Sequence, residues 1–92
     1  MVLFIEVRNG HKDIVELLLT NGANINVKEN WQRRTPLHEA VWNGKEDMVE
    51  LLLTKGADVN VRNNAGQTPL DVAVNRGHTK TVELLVKHGA KN

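Results

Sequence analysis

The chain repeats itself at an interval used by few architectures. "NGHKDIVELLLTNGANINV" at 9–27 returns as "NGKEDMVELLLTKGADVNV" at 43–61 and as "RGHTKTVELLVKHGAKN" at 76–92. "TPLHEAVWNG" at 35–44 returns as "TPLDVAVNRG" at 68–77. The intervals are 34 and 33 residues, and about two and a half copies cover all 92 residues without a linker. A period of this length marks a row of stacked supersecondary units rather than one closed core. Composition agrees. Aromatic residues make up 3% of the chain, so Leu, Val, Ile and Ala must fill the interior.

Glycine sets the punctuation. Gly10, Gly44 and Gly77 are each followed twelve residues later by Gly22, Gly56 and Gly89. Glycine in so strict a register marks the left-handed residue just past a helix C-terminus. Asn-Gly at 9–10, 21–22 and 43–44 also suits a tight hairpin, but the flanks repeat with helical spacing rather than alternation. Each unit is therefore expected to hold two short helices. The first opens at Thr35 or Thr68, whose hydroxyl can cap, with Pro36 or Pro69 at the first helical position. Asp71 adds a carboxylate in the first turn of its helix, where the helix dipole favours it. Leu37, Ala40 and Val41 form one apolar stripe, matched by Leu70, Ala73 and Val74. The second helix is expected from about Asp47 to Thr54, with Val49, Leu52 and Leu53 on one face. Such helices are marginal alone in water, and stacking like stripes into a continuous core is what stabilises them. The polar stretch "VRNNAGQT", which holds Gly66, reads as a turn projecting between units.

"TPLHEA", "GKEDMVELLLTKGADVN" and the 33-residue step resemble ankyrin repeats, in register over essentially the whole chain. The resemblance implies an all-α repeat: an ankyrin-type solenoid of stacked helix-turn-helix pairs with projecting hairpin fingers. It divides a single domain, 1–92, into a truncated first repeat (1–34), a full repeat (35–67) and a C-terminal capping repeat (68–92). Three departures stand out. The first unit lacks Thr-Pro and starts inside its first helix. The finger at 28–34 has one extra residue and no glycine where its counterpart has Gly66. The last unit has Thr81 where Ile14 and Met48 stand, with Thr79 and Lys80 nearby, as a polar capping face requires. The apolar start, Val2, Leu3, Phe4 and Ile5, is expected either to continue a longer array or to pack against another copy as a weak homodimer.

The residues point away from enzymatic chemistry. Neither serine nor cysteine occurs, which removes the usual nucleophiles, disulfides and thiolate metal sites. His38 and Asp71 look like a base and its orienter, but they hold the same place in successive units, the mark of a structural role. The resemblance implies that such a histidine hydrogen-bonds its threonine and the neighbouring turn. The four histidines form no His-x-x-x-His pair, and no glycine-rich phosphate motif occurs, so no metal and no cofactor are expected. No glycosylation sequon occurs, and no apolar run approaches the roughly 20 residues of a membrane span. An intracellular location, cytoplasmic or nuclear, is the expectation.

What remains is a binding surface. In the ankyrin family the fingers and first helices line a concave groove that binds other proteins. By that resemblance the displayed residues here are Lys28, Asn30, Trp31, Arg33 and Arg34 on the first finger, and Arg62, Asn64 and Gln67 on the second. Trp42 and Asn43, then Asn75 and Arg76, stand at the helix ends. Tryptophan and arginine are the types enriched among interface hot spots, and this face holds both tryptophans and four of the five arginines. Each indole also has a plainer reading: Trp42 as a cover over Val41, and Trp31 as a tip folded back onto Arg33 or Arg34. The displayed face together with Glu29 carries net +4 in a chain of net +1. That segregation would steer an acidic partner. The expected function is protein binding through the groove, to an acidic and partly apolar surface. Self-association through the N-terminal edge and single-stranded nucleic-acid binding are the alternatives, the latter weakened by the near-neutral total charge. The resemblance further marks Asn60 as a candidate for asparagine hydroxylation, against a side chain that merely bonds its own turn.

Overall fold

A computed structural model describes residues 2–91. They form six helices: α1 (Val2–Arg8), α2 (Lys12–Thr20), α3 (Pro36–Trp42), α4 (Glu46–Thr54), α5 (Pro69–Asn75) and α6 (Thr79–Lys87). No strand occurs among the described residues. Helices of seven residues alternate with helices of nine, giving three antiparallel pairs. The first helix of each pair packs beside the next, α1 on α3 and α3 on α5, while α4 packs on α6 in a second layer. Where the sequence suggested a start inside the first helix, α1 has seven residues, as many as α3 and α5. No helix among the described residues is long and apolar enough to cross a membrane.

The local chemistry that ends and begins each helix is repeated from unit to unit. Thr35 and Thr68 adopt extended backbone, and their hydroxyls accept from the amides of His38 and Asp71. The His38 ring and the Asp71 carboxylate reach back to the threonine amides at 3.1 and 3.0 Å, closing a capping box at the start of α3 and of α5. At the other end of α3, the Gly44 amide bonds Val41 O and the Lys45 amide bonds Ala40 O, both at 3.1 Å. This Schellman pattern requires the left-handed backbone that Gly44 adopts at φ 65°.

Stacking supplies the core. Leu37, Ala40, Val41, Met48, Val49 and Leu52 of the middle pair are all 1% exposed or less. Burying one such aliphatic side chain is worth about 1.5–3 kcal/mol, more than a seven-residue helix can supply from its own propensity. The turns interlock as well: the His78 ring lies where a Cβ on Gly44 would come within 3.2 Å of it.

Three expectations are corrected by burial. Thr81, read as part of a polar outer face, is 1% exposed, with its hydroxyl unpartnered. It takes the place of Met48, which faces the interior of the stack. Val74, expected in a buried stripe, is 58% exposed, because no pair packs beyond α5 among the described residues. Leu3 and Phe4 are buried, Leu3 in the core shared with the later units, so only Val2 and Ile5 of the apolar start are exposed.

Candidate protein-binding groove

Two fingers link the helix pairs, at 28–34 and 62–67. In the second, the Asn63 side chain accepts from the amides of Ala65 and Gln67, and the Asn63 amide donates to Gln67 O at 2.9 Å. The first finger solves the same closure with one more residue. Glu29 stands at the position of Asn63, and its longer carboxylate reaches the amides of Gln32 and Arg34, while its own amide donates to Arg34 O at 2.9 Å. Burial acts to raise the Glu29 pKa. The backbone amides of Gln32, Arg34 and Trp31, with the Arg34 charge, outweigh it and hold the carboxylate below its usual 4.5. Arg33 takes the left-handed conformation, φ 55°, that Gly66 takes at φ 77° in the second finger. The fingers are joined tip to tip by the Asn64 amide donating to Gln32 O at 2.7 Å, and at the base by Lys28 Nζ donating to Arg62 O at 3.4 Å.

His38 is part of this frame. Its Nδ1 accepts from the Thr35 amide, which leaves the Nε2–H to donate to Gln67 O at 2.8 Å. The ring is 1% exposed and tied to its own threonine and to the next finger, so its role is structural. Burial holds its pKa below 6.5, helped by the Arg34 and Lys28 charges and opposed by the Gln67 bond.

The groove floor contains a carboxylate whose role was not visible in the sequence. Glu39 is 3% exposed at the position that Ile5 and Val72 hold in the flanking units. Its carboxylate meets Arg8 Nε at 3.1 Å, Arg34 Nη1 at 3.3 Å and Asn43 Nδ2 at 2.9 Å. Arg34 and Asn43 are therefore engaged in the protein's own construction. So is Gln67, through its backbone bonds and the Asn63 amide at 3.2 Å. The one available hint was the sequence register, which sets Glu39 opposite two aliphatic residues.

On either side of Arg34 the surface dips. One hollow of about 240 Å³ is lined by Phe4, Ile5, Arg8 and Trp31. The other, about 280 Å³, lies between the fingers and is lined by Gln32, Trp42, Asn63 and Val72. A larger depression of about 550 Å³ lies at the turns between paired helices, lined by the polar residues Asn9, Lys12, Lys45 and Asp47. Trp31 is 85% exposed, so the indole does not fold back. Trp42 is half exposed and carries the Arg76 guanidinium 4.1 Å above its ring, a cation–π pair between consecutive units. Asn30, Arg33, Arg62, Asn64 and Asn75 are exposed, and no carboxylate pairs with Arg33, Arg62 or Arg76 among the described residues.

Asn60 lies outside the groove. Its side chain accepts from the Lys91 amide at 3.0 Å and donates to Gly89 O at 3.5 Å, so it bonds the next unit rather than its own turn. Asn26 does the equivalent one unit earlier, accepting from the Asp58 amide at 2.8 Å.

Paired short helices, shared caps and interlocking fingers define a helical-repeat protein that displays a groove. The family model "Ankyrin repeats (3 copies)" matches residues 3–92, and the chain belongs to the ankyrin repeat family, whose members are in general protein–protein interaction modules. Among curated proteins it is 41% identical over 91 residues to one from Fowlpox virus (strain NVSL) that is named as an ankyrin repeat protein. That match covers 94% of this chain and 26% of the relative, so the chain spans about a quarter of the relative's length.

Proposed function

We propose that the groove binds a protein segment that is acidic and carries apolar side chains, with Trp31 and Trp42 as anchors. The observation that carries this reading is that both indoles are exposed and each lines a hollow that Arg34 also lines, among residues where cations outnumber carboxylates. With Arg8 and Glu39 included, that set holds six cations, the others being Lys28, Arg33, Arg34, Arg62 and Arg76, against Glu29 and Glu39. The two hollows flank Arg34, so an extended segment can seat an apolar side chain in each and pass its carboxylates to Arg33, Arg62 and Arg76. Arg33 and Arg62, exposed and without a carboxylate partner among the described residues, need not break an ion pair to engage one, while Arg76 would do so from its place over the Trp42 ring. Asn30, Asn64 and Asn75 supply polar contacts at the rim. Glu29 and Glu39 on the same face, and the lack of a lysine cluster, weigh against a nucleic-acid backbone.

Selection from a displayed random-peptide library on the folded chain tests this. Selected peptides are expected to combine Asp or Glu with large apolar residues, to bind less tightly as salt rises, and to lose most affinity for the Trp31→Ala/Trp42→Ala variant. Because both indoles are exposed, that variant should melt close to wild type. Basic peptides, or unchanged binding by a folded double variant, would sink the proposal.

A further inference from the structure

The hollow between the two fingers has units of the stack on both sides, and its hydrogen-bonding groups are unevenly spent. Asn63 Oδ1 accepts from the amides of Ala65 and Gln67, which fixes Asn63 Nδ2 as the donor to Gln67 Oε1 at 3.2 Å. Gln67 Oε1 is thereby occupied, and Gln67 Nε2 is left without a partner among the described residues. Gln67 O accepts from His38 Nε2 and from the Asn63 amide, and Gln32 O accepts from the Asn64 amide. The acceptors around the hollow are thus largely committed. Gln32 has an exposed side-chain amide, which can turn its Nε2 inward.

Donors are left over. Arg34 pairs with Glu39 through Nη1, while its Nε is buried with no hydrogen-bond partner. Arg8 and Arg34 share the Glu39 carboxylate, so the ion cluster that reaches the hollow through Arg34 keeps one positive charge unanswered. Val72, 4% exposed, and the Trp42 indole add apolar lining. Free donors, spent acceptors and a residual positive charge suit a group that is negative and only accepts. The apolar lining suits a short aliphatic stem behind it. We infer that this hollow takes a glutamate side chain of the bound segment, with its methylenes on Trp42 and Val72 and its carboxylate on the Gln67 amide and the Arg34 guanidinium. This assignment rests on the groove reading and sharpens it at one hollow, where the seated side chain ends in a carboxylate. Aspartate has a shorter stem, and glutamine would set an NH2 donor against the free donor of Gln67.

The probe is a peptide selected on the folded chain whose binding depends on Trp31 and Trp42. Each of its Glu and Asp residues is changed in turn to the matching amide, and affinities are measured by calorimetry for the wild type and for Gln67→Glu. That variant keeps an oxygen for Asn63 Nδ2 and replaces the free NH2 with a second acceptor; circular dichroism and the urea midpoint check its fold. Gln32→Glu, at an exposed position on the first finger, makes the same reversal should Gln67→Glu unfold. On the wild type, changing one peptide glutamate to Gln should cost roughly tenfold or more in affinity. On Gln67→Glu the order should reverse, the Gln peptide binding more tightly than its Glu parent. The other acidic positions should feel only the added charge and show no reversal. If no position reverses, the exposed arginines alone read the acid, and the glutamate assignment is overturned while the groove reading stands. Reversal at an aspartate alone overturns it too. If no selected acidic peptide depends on the two indoles, the groove reading fails and the assignment fails with it.

Discussion

Arg33 adopts a backbone conformation that disfavours side chains, φ 55°, at the position Gly66 fills in the second finger. The left-handed region costs an L-residue roughly 1–2 kcal/mol, and glycine gives back about half of any gain through its freer unfolded chain. Arg33→Gly is therefore expected to stabilise the protein by about 0.5–1 kcal/mol, read as a higher urea midpoint. The same change should weaken binding of acidic peptides, because it removes an exposed cation from the groove. A midpoint that stays put or falls would show that the finger bears no strain at Arg33. Glu39 is the other residue whose setting matters. Buried where its neighbours are aliphatic, it is held by Arg8, Arg34 and Asn43, and it spends Arg34 on the protein itself.

At the scale of elements, the helices are too short to stand alone, and their ends carry the specification. Thr-Pro opens α3 and α5, and a left-handed glycine closes α3 before α4 begins. The closing glycines are not equivalent. Gly44 has φ 65° with the His78 ring against it, whereas Gly56 has φ 92° and open space, with nothing within 4 Å of where a methyl group would stand. Both Gly44→Ala and Gly56→Ala should lose about 1 kcal/mol to backbone strain. Gly44→Ala should lose more, since the added methyl must also displace His78 at the contact between two units. Equal urea midpoints for the two variants would show that His78 moves aside without cost.

At the scale of the whole molecule, stability is a matter of how units hold one another, and His38 is one of the ties. Its ring links the second unit to the following finger through Gln67 O. Its folded pKa lies below the usual 6.5, so as pH falls the unfolded chain takes up the proton first. The stability contributed by neutral His38 is thus fully present above about 6.5 and declines as pH drops toward the lower folded value. Urea midpoints should fall between neutral and mildly acidic pH, and His38→Asn should flatten that slope while lowering stability at neutral pH. An equal slope in the variant would assign the pH dependence to other groups.

The sequence by itself determined the period, the helix pairs, the Thr-Pro caps and the glycine ends. These follow from local spacing and backbone chemistry, which each unit repeats. Tertiary structure decided the rest, because burial depends on which unit lies alongside. Thr81 and Val74 exchanged their expected places for that reason, and Glu39 found two arginines from separate elements. Trp42 found Arg76 one unit away, while Trp31 was left exposed at its fingertip. A residue's letter is the same wherever it stands; only the stack determines whether it faces a neighbour or water.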